Sequence, residues 1–192
     1  MQHILVCGFG NPSYHRDAGI ERAVVNEVRK QLEQALLASS SDGSNVLERP
    51  IDTVVLHQLV PEIAERVVDY DLVIFVHADV AAPSELPREE CLVPAYRSAA
   101  FVSHQTQPAT VLELARRAYG YAPQAVMLSL HDHDFDPDEG LSLETANLVS
   151  LAVERILDWA QANPVNRKHN HLFPVQKDRP STRCQSLPPK VY

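Results

Sequence analysis

The chain has 192 residues, a formal net charge of −8, 45% hydrophobic and 22% charged side chains. One domain plus a modest tail is expected at this length, and such a core needs neither disulfides nor a structural metal. No run approaches the roughly 18 apolar residues of a membrane span, and the acidic balance opposes nucleic-acid binding, which needs concentrated cationic charge.

In chain order, His3–Gly8 reads as a buried strand, stopped by the glycines of Gly8-Phe9-Gly10-Asn11. From Ile20 the pattern turns helical: Ile20, Val24, Val28, Leu32 and Leu36 recur every fourth residue, and Val25 and Ala35 widen the stripe. Ser39–Ser44 is a loop and Thr53–Leu56 a second strand. Pro61 suits the first turn of a helix whose apolar face is Ile63, Ala64, Val67 and Val68. Leu72–Val76 is continuously apolar, as a strand buried on both faces requires. Cys91–Val93 is an edge-strand candidate. Pro108 opens a helix with Val111, Leu112, Ala115 and Ala118 inward and Gly120 as its stop. Ala125–Leu130 is a further strand. Ser142 caps a last helix with the stripe Ala146, Val149, Val153, Ile156, Leu157 and Ala160.

Strands alternating with helices predict a three-layer α/β/α domain over residues 1–162, with a mostly parallel central sheet of about five strands. Residues 163–192 form a separate tail. From residue 164 onward it holds six Lys/Arg, one acid and five prolines, leaving a body with 11 basic and 24 acidic side chains, near −13. Without an apolar stripe the tail reads as irregular or disordered. The three cysteines, Cys7, Cys91 and Cys184, are an odd set without CxxC spacing, which argues against a disulfide framework and for a reducing compartment. The N-terminus has no basic region and its apolar run ends at Gly8, so a cytoplasmic location is expected.

Function in such sheets gathers at the carboxyl ends of the strands. Gly10–Asp17, His77–Asp79 and Ser103-His104 lie there. Taken alone, the glycines read as a tight turn, Asn11 as a turn former and Asp17 as an N-cap. The spacing does not fit GxGxxG, and no Walker lysine follows. If the extended conformation persists, His77 and Asp79 point to one face; a hydrogen-bonded structural histidine is the bland alternative. His131-Asp132-His133-Asp134, followed by Asp136, Asp138 and Glu139, does not match an EF-hand loop and reads as a solvated acidic loop. Cys7 inside a strand is a packing residue, and His169 and His171 are exposed residues of the tail.

Taken together, Gly8-Phe9-Gly10-Asn11 with Asp17 six residues after Asn11, the polar switch at His77 and Ser103-His104 resemble the [NiFe]-hydrogenase maturation endopeptidases. The stretch His57-Gln58-Leu59-Val60-Pro61-Glu62 and Gly140-Leu141-Ser142 add to the likeness, which runs from about residue 3 to 160. The resemblance implies an aspartic-type endopeptidase that removes the C-terminal extension of a nickel-loaded hydrogenase large-subunit precursor. That family has no recognised Ser or Cys nucleophile; nickel serves in recognition and water is the attacker. Carried over position by position, Asp17 and His104 become metal ligands, His77 the third ligand and Asp79 a reserve ligand or general base. Asp17 is thereby both a ligand and part of the catalytic pair with Asp79.

This chain departs from the family pattern twice: Arg16 replaces an acid, and His77 stands where the family has a ligand Asp. Two imidazoles and a carboxylate suit nickel, zinc or iron(II) alike. The alternative implied by these departures is a non-catalytic metal- or partner-binding protein of the same fold. Deleting residues 165–192 is expected to leave the melting temperature nearly unchanged, because the tail buries too little to offset the cost of ordering it. A large drop would show that it packs on the body, through Leu172 and Phe173.

Overall fold

The computed structural model describes residues 2–10, 19–37, 50–79, 84–96, 106–131 and 141–162. The expected loop at Ser39–Ser44 and the tail from residue 163 lie outside the described residues. The elements are β1 (Ile4–Phe9), α1 (Ile20–Gln31), β2 (Ile51–Leu56), α2 (Ile63–Val67), β3 (Leu72–Asp79), β4 (Arg88–Leu92), α3 (Pro108–Tyr119), β5 (Gln124–His131) and α4 (Leu143–Ala162). The strands form one five-stranded sheet in the order β2-β1-β3-β5-β4. Every pairing is parallel except that of β4 with β5 at the edge.

The alternation of side chains along the strands divides the core in two. Ile4, Val6, Ile74, Val76, Ala78 and Leu128 pack against Val24 and Val28 of α1 and Leu148, Ala152 and Ile156 of α4. Their odd-numbered neighbours Leu5, Cys7, Val73 and Phe75 meet Ile63 and Val67 of α2 and Val111, Leu112 and Ala115 of α3. Helices therefore cover both faces, and the expected α/β/α layering is present. Val73, Ile74, Phe75 and Val76 are wholly buried, each contributing roughly 1.5–3 kcal/mol relative to an exposed side chain.

Helix ends follow their sequence signals. Pro108 occupies the first turn of α3 and Gly120 ends it at φ 74°, its N–H bonded to the Arg116 carbonyl, the left-handed stop that glycine adopts without strain. Ser142 Oγ accepts the Thr145 N–H at 3.1 Å and so caps α4. Ala118, expected inward, is exposed, as are its neighbours Arg116, Arg117 and Tyr119 in the last turn of α3.

The end of α1 is a larger correction. The every-fourth-residue pattern continues through Leu32 to Leu36, yet the helix stops at Gln31. Glu33 takes φ 55° and reverses the chain. The Asn26 side chain then binds Leu37 twice, Oδ1 accepting its N–H at 2.8 Å and Nδ2 donating to its carbonyl at 3.2 Å. Leu37, not Leu36, enters the core; Leu36 is 62% exposed.

The cysteines divide. Cys7 is free and buried in β1; burial pushes its thiol up to about 12, against a smaller opposing pull from Arg66. It is a packing residue, not a nucleophile. Cys91, on the edge strand β4, is half-buried.

Two buried acids tie down the amino edge of the sheet. Asp71 Oδ2 accepts the His3 N–H at 2.8 Å. Its own N–H bonds the His3 carbonyl, and its carbonyl accepts from Gln124, which links the starts of β1, β3 and β5. Asp52 accepts the Tyr70 hydroxyl at 3.0 Å. Replacing Asp71 with Ala leaves the His3 N–H without its acceptor and is expected to lower stability by about 1–3 kcal/mol, read as a shift in the urea midpoint with an unchanged slope.

Candidate active site at the carboxyl edge of the sheet

β1 and β3 run side by side from Ile4↔Leu72 to Gly8↔Val76. β1 then ends at Phe9, whereas β3 continues to Asp79 beside β5, with His77↔Ser129 and Asp79↔His131 in register. The last residues of β3 thus overhang the end of β1, where the ladder can no longer pair their backbone. A side chain from α1 takes over this role: Glu21 Oε1 accepts the Ala78 N–H at 2.9 Å.

Glu21 lies in the first turn of α1 and is only 4% exposed. The two glycines of the opening motif make room for it. A Cβ at Gly8 would come within 3.0 Å of Glu21 Cβ and 3.2 Å of its backbone carbonyl oxygen. At Gly10 a Cβ would overlap Glu21 Oε1 and lie 2.9 Å from Cδ. The Gly-x-Gly spacing therefore serves close approach of the helix and its carboxylate to the strand, a reason different from the tight turn expected.

His77 projects from the overhang. Its Nδ1 lies 3.0 Å from the Phe9 carbonyl oxygen and 3.6 Å from Glu21 Oε1. Its ring stacks on that of Phe9, with centroids 4.8 Å apart and planes inclined by 6°, and Phe9 meets Phe75 edge-on. The side chain remains 36% exposed. Burial pulls the imidazole pKa down, but hydrogen bonding to Glu21 and the Phe9 carbonyl and the charges of Glu21 and Asp79 outweigh it; the net shift is upward from 6.5.

β3 stays extended through Asp79, so His77 and Asp79 share a face, as the sequence predicts for a continuing strand. Asp79 Oδ2 is 4.0 Å from Arg88 Nη1 on β4, a distance at which the partly exposed pair holds loosely. His131 Nδ1 lies 3.0 Å from the Asp79 carbonyl oxygen. Histidine and carboxylate groups from β3 and β5 thus line one stretch of the carboxyl edge, and Glu21 stands behind them.

Asn11, Arg16, Asp17, Ser103 and His104, and the acidic stretch Asp132–Glu139, lie outside the described residues. The N-cap position of α1 falls on Gly19. Among the described residues, no group of three or more His, Cys, Asp or Glu side chains is gathered as a metal site. Sequence reasoning missed Glu21. Its signal was there: Glu21, Val24, Val25 and Val28 follow the i, i+3, i+4, i+7 spacing of a buried stripe, with an acid in the first place.

No family model matches the chain, and no curated protein matches it either. Solved structures do. One is a hydrogenase maturating endopeptidase, HybD, from E. coli, with 20% identity, a TM-score of 0.55 and coverage of 81% of this chain and 90% of that one. Another is the solution structure of an endopeptidase from Escherichia coli, with 21% identity, a TM-score of 0.52 and the same two coverages, 81% and 90%. A [NiFe] hydrogenase maturation protease, HybD, from Thermococcus kodakarensis has 14% identity and a TM-score of 0.50 over 83% of this chain and 99% of that one. At these identities the likeness establishes the fold.

The upward shift of His77 has a signed consequence. Folding favours its protonated form, so the stabilisation is fully present below pH 6.5 and is lost as pH rises through the higher folded value. The stability advantage of the natural chain over His77→Gln is therefore expected to be larger at about pH 5.5 than at about pH 8.5, measured as the difference in urea midpoints. The opposite trend would mean that burial dominates the ring.

Proposed function

We propose that this chain is an endopeptidase that removes the C-terminal extension of a nickel-loaded [NiFe]-hydrogenase large-subunit precursor. The observation that carries the reading is His77, held at the carboxyl end of β3 by Phe9 and Glu21, in a fold shared with the hydrogenase maturating endopeptidase HybD from E. coli. The sequence places Asp17 and His104 in the segments that the resemblance marks as ligands. Nickel enters as part of the substrate, carried by the precursor. Asp17, His77 and His104 would recognise it, a donor set that fits nickel without excluding other divalent ions.

In this reading Asp79 is the base. It stands two residues beyond His77 on the same face of β3. A carboxylate so placed takes a proton from water as the oxygen attacks the scissile carbonyl, and returns it to the leaving amine. Asn11 would shape the loop beside it. Cys7 is excluded as the nucleophile by burial and its raised pKa. No described helix is long and apolar enough to cross a membrane; a cytoplasmic site of action belongs to the proposal, and cell fractionation would place it.

The deciding experiment is co-expression with a nickel-loaded precursor, read by mass spectrometry. Loss of the C-terminal peptide is expected with the natural chain and its abolition with Asp79→Asn. Binding without cleavage by the natural chain would leave the non-catalytic alternative. The variant His77→Asp, which introduces a carboxylate donor, is expected to keep nickel binding and to extend it to lower pH, because a carboxylate sheds its proton near 3.9 and an imidazole near 6.5. No nickel binding by either version would remove the metal reading.

A further inference from the structure

The nearest acceptor to His77 Nδ1 is the Phe9 carbonyl oxygen, at 3.0 Å. A carbonyl oxygen only accepts, so this contact is a hydrogen bond only if Nδ1 carries the proton. Glu21 Oε1, at 3.6 Å, favours a proton at the same atom. The Phe9 ring stacked on the imidazole limits its rotation. In the neutral ring the lone pair then belongs to Nε2, which has no partner among the described residues.

Glu21 is itself held in place. One oxygen accepts the Ala78 N–H, the side chain is buried, and Gly10 leaves space for the carboxylate where any other residue would place a Cβ against it. Asp79 lies on the same strand and face as His77, but Nδ1 is directed toward Phe9 and Glu21. We infer that Glu21 is a positioning residue for this site: together with the Phe9 carbonyl it fixes His77 as the Nδ1–H tautomer and presents Nε2 as the donor. The inference rests on the proposed reading for what Nε2 meets, a metal carried by the substrate, but not for the tautomer itself. Outer carboxylates that orient ligand histidines act in this way, and their loss typically weakens metal affinity by about 10- to 100-fold.

The test is nitrogen NMR of the His77 ring in the metal-free full chain at about pH 9, where imidazole is neutral. The natural chain is expected to show a protonated Nδ1 and an unprotonated Nε2. In Glu21→Ala the two ring-nitrogen shifts are expected to move toward each other as the tautomers mix. Glu21→Gln keeps an acceptor oxygen and should restore the separation, whereas Glu21→Leu, which keeps the bulk without an acceptor, should not. Should Glu21→Ala fail to fold, Gly10→Ala displaces the carboxylate without removing it and is expected to mix the tautomers too. An Nε2–H ring in the natural chain, or an unmoved tautomer when the carboxylate is removed or displaced, overturns the inference. A separate nickel(II) titration of the natural chain tests the metal reading: absence of binding sinks that reading and leaves the tautomer result to stand or fall alone.

Discussion

A buried carboxylate, Glu21, bridges helix α1 to the point where β3 outlasts β1. Burying such a group is costly unless its oxygens find donors. Here the Ala78 N–H supplies one at 2.9 Å, and His77 lies close enough to supply positive charge when protonated. The demand works in both directions. Without Glu21, the overhanging backbone of β3 would lose its acceptor; without Gly8 and Gly10, the first turn of α1 could not approach so closely. A short segment of sequence therefore sets the depth of the helix, the reach of the strand and the pose of the histidine.

The opposite edge of the sheet shows that burying an acid does not by itself make a site. Asp71 and Asp52 are 3% and 5% exposed; one accepts a backbone N–H and the other a phenol, contacts that join chain segments. Both stabilise the start of the sheet. At the carboxyl edge the acid meets an imidazole that is still partly open. This asymmetry agrees with the general location of function in parallel sheets, and it arises here from named side chains.

Much of the fold was legible because the strands are apolar runs and the helices carry wide stripes. Thr145, Leu148, Ala152 and Trp159 widen the α4 face beyond the sequence reading, but its direction was correct. Periodicity misled at α1, where Leu36 keeps the spacing after the helical hydrogen bonding has stopped; a reversal at Glu33 and a side-chain clamp from Asn26 decided the matter. The site was half legible. His77 and Asp79 stood out as polar residues ending an apolar strand. Glu21 was passed over because a stripe is found by its apolar members, and a carboxylate in one place of the stripe reads as an interruption. Its role depends on β1 ending before β3, a matter of register between strands more than 60 residues apart in sequence.

That register also bears on the histidine at position 77. A carboxylate there would offer two equivalent oxygens and could turn to meet a ligand from several directions. An imidazole whose Nδ1 is engaged behind it offers a single atom in a single direction. It is also neutral as a donor, so the negative charge that a ligand Asp would bring sits one step back, on Glu21. If His77 meets a metal, the site keeps a carboxylate's field while gaining a fixed donor direction, which is the arrangement that outer carboxylates give to ligand histidines. Histidine at position 77 and glutamate at position 21 then act as a pair, the imidazole giving the donor direction and the carboxylate the field behind it.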